Sequence, residues 1–205
     1  MARRGYHHGN LRQELVDATL RLIEEKGPTG FTLSEAAKAA DATPPAVYRH
    51  FDGREDMIAE AALQGYRVFA DLMEHAYEAG GPTTLGKFNA TGRAYLAFAR
   101  KFPGHYVAMF ESGISINHSS ELAREANRAF SVLERSAKEL TAHIPADRRP
   151  PSQMVSAHIW AMSHGVVELF ARGSPGTKAP YPPEDLLESS IGIYLRGLGL
   201  LPADV

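Results

Sequence analysis

Cysteine is missing from all 205 residues. That absence excludes a disulfide framework, a thiol nucleophile, a zinc knuckle and an iron–sulfur cluster. A reducing, cytoplasmic compartment is the expectation. Long apolar runs are missing too. No segment approaches the roughly 18 consecutive apolar residues that a membrane span needs, so no membrane partner is expected. The opening Met1-Ala2-Arg3-Arg4-Gly5-Tyr6-His7-His8 is basic, but no apolar stretch follows it, and no secretory signal is expected there. A large charge of one sign is also lacking: 22 basic residues against 24 acidic ones leave −2. Coating of a polyanion through bulk charge is thereby excluded, whereas a local basic patch is not. Alternating strand patterns, hairpin turns, fixed-period repeats and low-complexity tracts are all missing.

What remains is helical periodicity almost throughout. Leu11, Leu15, Ala18 and Leu22 lie at steps of four, three and four, one face of a helix with Asn10 as its candidate cap and Gly27-Pro28 as its stop. A second, short helix should begin after Thr32, with Glu35 placed to complete a capping box, and run to about Ala40. Asp41-Ala42 makes a turn. Thr43 caps a third helix with Pro44-Pro45 in its first turn, where a missing N–H costs little. From Arg54 a long helix runs to Gly80-Gly81-Pro82. Further helices are expected over 85–102, 103–110, about 120–140, 152–171 and after the Gly/Pro-rich loop 172–183. The style changes near residue 53, from short helices with tight turns to longer ones suited to a bundle. Charge divides there too. Residues 1–54 hold eight basic and seven acidic residues, and the remainder hold 14 and 17.

Two short helices joined by a tight turn can place the second in the major groove of DNA. Ala36, Ala37 and Ala40 allow close approach of the pair. Val47 and Phe51 point inward, leaving Thr43, Pro44, Tyr48 and Arg49 outside, with His50 nearby. A hydroxyl, a phenol, a guanidinium and an imidazole suit phosphate and base-edge contacts.

The run Thr43-Pro-Pro-Ala-Val-Tyr48-Arg49-His50-Phe51, followed by Arg54-Glu55, resembles the DNA-binding signature of TetR-family regulators. Arg54 stands where Lys is usual and keeps the charge. Helix 11–27 and Gly30-Phe31-Thr32-Leu33 extend the resemblance over residues 9–69. Tyr6-His7-His8-Gly9-Asn10-Leu11, Phe102-Pro103-Gly104-His105-Tyr106-x-x-Met109-Phe110 and Trp160-x-x-x-His164-Gly165 resemble a subgroup with a Trp-His-Gly signature in its C-terminal domain. The resemblance implies an all-α fold of about nine helices: a three-helix DNA-binding domain over 9–69, with its helix-turn-helix at 32–51, and a helical-bundle effector-binding and dimerisation domain over 70–205. It implies a homodimeric regulator, a repressor released from a palindromic double-stranded operator by a small effector.

On this reading the DNA-binding residues are Thr32, Thr43, Pro44, Pro45, Tyr48, Arg49, His50 and Arg54. Arg3 and Arg4 are candidates for a minor-groove arm. Candidate effector residues are Tyr95, Phe98, Phe102, Tyr106, Met109, Phe110, Trp160 and His164, most apolar pockets being lined by such groups. Candidate dimer residues on the last two long helices are Ile159, Met162, Val166, Ile191, Tyr194 and Leu198. His164 and Glu168 share a helix face, but two side chains do not complete a metal site. His-Glu-x-x-His and Gly-x-Ser-x-Gly are absent. No metal, no cofactor and no enzymatic activity are expected. An enzyme using His105, His164 or Glu168 as acid–base groups, or a DNA binder without an effector, are the alternatives.

Overall fold

A computed structural model describes residues 11–172 and 180–201. Asn10 as a cap, the Arg3/Arg4 arm and the Tyr6–Asn10 motif lie outside the described residues, as does most of the loop after Arg172. The described residues form nine α-helices and no strand: α1 (Leu11–Lys26), α2 (Leu33–Ala39), α3 (Pro44–Val47), α4 (Arg54–Ala79), α5 (Thr84–Lys101), α6 (Pro103–Phe110), α7 (Ser120–Thr141), α8 (Ser152–Val166) and α9 (Pro183–Gly197). A 3-10 turn covers Ile116–His118, and a π-helical turn over Val167–Ala171 continues α8.

Local chemistry sets these limits. Thr32 caps α2: its hydroxyl accepts from the Glu35 N–H at 3.2 Å, and the Glu35 carboxylate accepts from the Thr32 N–H at 2.8 Å. Lys26 also reaches Glu35 at 2.7 Å. Hydrogen bonds from Lys26 and Thr32 lower the Glu35 pKa to about 2. Prolines occupy the first turns of α3, α6 and α9, where no N–H is needed. Past α2, the Ala42 N–H reaches back to the Ala37 carbonyl at 2.8 Å and the Asp41 N–H to Lys38 at 3.1 Å. This Schellman-type stop puts Asp41 at φ 52°, a left-handed conformation usually given to glycine.

The chain divides into two compact units. The first holds residues up to Arg67 together with Phe102–Glu125. Its core is Leu15, Val16, Ala18 and Ile23 of α1, Phe31, Ala36, Ala37, Val47 and Phe51 of the helix-turn-helix, and Met57, Ile58 and Ala61 of α4. Each large side chain buried here contributes about 1.5–3 kcal/mol. Within this unit α6 packs on α1. Gly104 makes that possible, since a Cβ there would lie 3.0 Å from the Leu20 carbonyl and 2.8 Å from Glu24. The Gly104 N–H, left open at the start of α6, donates to the Glu24 carboxylate at 3.0 Å.

The second unit holds Val68–Lys101 and the chain from Ala126 onward. α8 packs against α9, and α5 against α9 and the π-helical turn. Buried Phe69, Phe88, Tyr95, Phe98, Val132, Val155, Ile159, Leu187, Ile191 and Leu195 form its interior. Arg128 pairs with Asp71 and Glu74, joining α7 to the second half of α4.

Candidate functional site

In the first unit, one face of the helix-turn-helix is apolar and buried and the other is open. Val47 and Phe51 are buried, whereas Tyr48 is 61% exposed. Thr43, Pro44, Pro45 and Arg49 are exposed beside it, and His50 is half-buried. Thr43 sits at the cap position of α3, yet its hydroxyl makes no capping bond. The expected role as a cap is therefore not performed by the side chain. Thr32 is exposed but spends its hydroxyl on the α2 cap.

The third helix is shorter than expected. Regular α-bonding covers Pro44–Val47, and a tighter turn carries the chain on, the Arg49 N–H bonding to Ala46 and the His50 N–H to Val47. Two prolines remove donors from the first turn, so few bonds hold this segment from within. Arg12 supports it from α1. Its guanidinium donates to the His50 carbonyl at 2.7 Å, pairs with Glu60 at 2.6 Å and lies 4.4 Å over the Phe51 ring. Arg12 thus positions the open face; the sequence showed only a basic residue on α1. Arg54 is similarly engaged. It donates to the Pro28 carbonyl at 2.8 Å and covers Phe31, so part of its donor set holds the α1–α2 loop.

In the second unit, α4, α5, α7, α8 and α9 enclose a narrow cavity of about 30 Å³. α4 supplies Phe69 and Met73, and α5 supplies Phe88, Thr91, Gly92 and Tyr95. α7 adds Ala129, Phe130 and Leu133; α8 adds Ile159, Trp160 and Ser163; α9 adds Ile191. Trp160 is the hub. Its ring meets Phe130 at 4.9 Å edge-on and Tyr95 at 5.6 Å, and His164 stacks on it at 5.3 Å. The Tyr95 hydroxyl lies 2.9 Å from His164 Nδ1. A shallower, open depression shares Phe130, Leu133 and Trp160 and adds Glu134, Gln153, Ser156 and Ala157.

Of the eight expected effector residues, Tyr95 and Trp160 line the cavity and His164 backs it. Phe98 is fully buried against Phe69, 5.0 Å between ring centres, and is not among the lining groups. Phe102, Tyr106, Met109 and Phe110 do not line it either. Pro103 starts a new helix, and these residues belong to the first unit, where Phe110 packs on Tyr66 at 5.8 Å and on Tyr106 at 4.9 Å. Phe69, Phe88, Phe130 and Leu133 also line the cavity; each lies in a periodic apolar row that periodicity alone cannot divide into wall and core.

The dimer residues need a similar correction. Ile159, Val166 and Ile191 are buried within the chain itself, so they offer a partner no surface. Met162, Tyr194 and Leu198 are partly exposed. The apolar groups that do face outward on these helices are Met154, Leu169 and Ile193, 54%, 64% and 63% exposed. His158 is bonded to Tyr194 at 3.0 Å, tying α8 to α9 along this side.

Among the described residues no group of three or more His, Asp or Glu could hold a metal ion. No described helix is long and apolar enough to cross a membrane.

Residues 15–61 match the family model described as bacterial regulatory proteins, tetR family. Residues 88–194, more than half of the chain, match the model described as tetracyclin repressor-like, C-terminal domain. Over 198 residues the chain is 24% identical to an uncharacterized HTH-type transcriptional regulator, YobS, of Bacillus subtilis strain 168, with 93% of each chain covered. A solved protein of unknown function from Rhodococcus sp. RHA1 has a TM-score of 0.76 at 22% identity, covering 96% of this chain and 98% of that one. AibR, solved in complex with isovaleryl coenzyme A and operator DNA, has a TM-score of 0.68 at 14% identity, covering 89% of this chain and 97% of that one. At such identities the structural likenesses establish the fold alone.

Proposed function

The chain belongs to the TetR family of bacterial regulatory proteins, and from that premise we propose a cytoplasmic homodimeric repressor that a small effector releases from a palindromic operator. It is a DNA-binding transcriptional regulator; the residue roles and the repressor mode are our reading. Within the family we place it in the subgroup with the Trp-His-Gly signature, on Trp160, His164 and Gly165. Operator reading falls to residues 9–69 and effector binding and dimerisation to 70–205.

The observation that carries the proposal is the division of the helix-turn-helix into a buried face and an open one bearing an uncapped Thr43 hydroxyl and the 61% exposed Tyr48. A phenol beside a hydroxyl and a guanidinium matches phosphate and base contact. Tyr48, Thr43 and Arg49 make the principal contacts. Pro44 and Pro45 shape the approach to the groove, while Thr32, His50 and Arg54 contact the backbone at its edges. One such reader makes few contacts, so a second half-site about 34 Å away, or a multiple of it, supplies the remaining affinity.

Dimerisation uses the outward side of α8 and α9, where Met154, Leu169 and Ile193 are exposed next to the small residues Ala161, Gly165 and Gly197. The effector occupies the cavity around Trp160. Among the described residues no lysine or arginine lines it, so from these the phosphates of a coenzyme A thioester, the ligand class seen with AibR, would find no cation.

The test is a mobility-shift titration against the chain's own upstream intergenic DNA and against random DNA at moderate salt. A preference for the former is expected. Tyr48→Ala should weaken specific binding by about tenfold or more, with melting temperature and dimer unchanged. Equal affinity for both DNAs would overturn the reading.

A further inference from the structure

The segment that carries the open face is weakly held from within. Its two prolines donate nothing, and the Thr43 hydroxyl makes no capping bond. The His50 N–H bonds back to Val47, but no backbone N–H among the described residues bonds to the His50 carbonyl. Arg12 supplies the missing donor at 2.7 Å. Among the described residues it is the only side chain hydrogen-bonded to 43–51. Its guanidinium is gripped on three sides. One nitrogen holds the His50 carbonyl, another holds the Glu60 carboxylate at 2.6 Å, and the central carbon lies 4.4 Å from the centre of the buried Phe51 ring. Glu60 is anchored in turn. Its other oxygen accepts from Gln64 at 3.1 Å, and the Gln64 and Gln13 amides bond each other reciprocally at 3.0 and 3.1 Å. Gln13 also donates to Asp17 at 2.9 Å. α1 and α4 together hold one planar fork against the C-terminal end of the reading segment.

Resting on the operator reading above, we infer that Arg12 is a positioning residue for sequence discrimination: by holding the His50 carbonyl it sets where Tyr48 and Arg49 stand against the base edges. Tyr48 and Arg49 lie directly before His50 in the chain, so this anchor fixes the end of the turn from which they project. Base-edge hydrogen bonds are short and directional, whereas attraction to phosphate tolerates displacement. A shift of the segment therefore costs affinity for the operator and spares affinity for random DNA. The other use for an exposed basic residue is a phosphate contact of its own. An arginine used that way serves every sequence alike and adds about one to the salt slope of binding. Glu60 argues against that use. A carboxylate set on the guanidinium offsets the charge that a phosphate would seek, while it completes the grip on the fork.

Full-length wild type, Arg12→Met, Glu60→Ala and the double variant are compared by fluorescence anisotropy on two labelled duplexes. One is the duplex that wild type enriches most from a randomised pool, and the other is a scrambled duplex of the same composition. Affinities are followed across about 50–200 mM salt. A loss of folded protein lowers both affinities alike and leaves their ratio intact, so the ratio separates placement from stability. Arg12→Met should lower the ratio of enriched to scrambled affinity by about tenfold, with the salt slope on each duplex unchanged. Glu60→Ala should lower the ratio by at least about threefold. Bulk charge predicts the opposite, since loss of a carboxylate from the reading head would strengthen binding to both duplexes. The double variant should match Arg12→Met, because the two residues act as one unit. An unchanged ratio in Arg12→Met, a salt slope reduced by about one, or a double variant whose losses add would each overturn the inference and leave operator reading standing. Failure of wild type to prefer any duplex would sink operator reading and the inference with it.

Discussion

The Arg54 guanidinium reaches the Pro28 carbonyl across 26 residues, at 2.8 Å, and lies over the Phe31 ring. This contact ties the start of α4 to the loop between α1 and α2. A partly buried hydrogen bond from a charged donor contributes about 1.5–3 kcal/mol. Arg54→Ala should therefore lower the stability of the protein by an amount at the low end of that range. Arg54→Lys keeps the charge but not the planar fork, and should recover only part of the loss. Urea denaturation of the three proteins measures this; equal midpoints would show that the contact contributes nothing.

Asp41 holds a left-handed turn that glycine would adopt without strain. Asp41→Val should be less stable than Asp41→Gly by about 1–2 kcal/mol, the cost of that region for a residue with a branched Cβ. Thermal melts of the pair decide it. Matching melting temperatures would mean the turn rearranges around valine.

Glu35 is held ionised by Lys26 and Thr32, with its pKa lowered to about 2. A carboxylate depressed in the folded state contributes stability above its unfolded pKa, and that contribution is lost as pH falls through the folded value. Wild-type protein should thus lose stability more steeply than Glu35→Gln between about pH 4.5 and about 2. Chemical denaturation at intervals across that window checks the slope. Parallel curves would remove Glu35 from the account.

Ile193 is 63% exposed on α9, among the small residues of the outward face. On the proposed α8/α9 interface, Ile193→Glu should yield a monomer where the wild-type protein is a dimer, because a carboxylate buried in an apolar interface has no partner. Sedimentation velocity reads the mass directly. The same variant should lose operator affinity strongly while Trp160 emission stays unchanged. A dimer that persists would move the interface to another surface.

Much of the fold was legible because its limits are local. The Thr32–Glu35 box, the prolines at 44, 103 and 183 and the glycines after α1 and α4 each act within a turn of chain, and each delimits the helix that the sequence placed there. Side-chain destinations were less legible. α8 and α9 carry apolar residues on both sides, with Ile159, Val166 and Ile191 inward and Met154, Leu169 and Ile193 outward. A repeat of 3.6 residues identifies the rows without saying which one meets the core. The aromatic residues of α6 show the same limit. Their sequence position next to α5 suggested a shared pocket, and only the close approach at Gly104 reveals that they pack with α1. Arg54 reads as a charge for DNA, whereas it also carries a long-range contact that no local pattern encodes, and so does Arg12.

Because residues 102–125 complete the unit that contains the helix-turn-helix, order of synthesis matters. At about 5–20 residues per second, several seconds separate the emergence of Arg67 from that of Glu125. Throughout that interval the nascent reader lacks the helix that seats Gly104 against Leu20 and Glu24. The face of α1 that this helix covers is then open to water, to chaperones or to a neighbouring nascent chain. The DNA-reading head is one of the first parts of the protein to be made and becomes complete only when well over half of the chain exists.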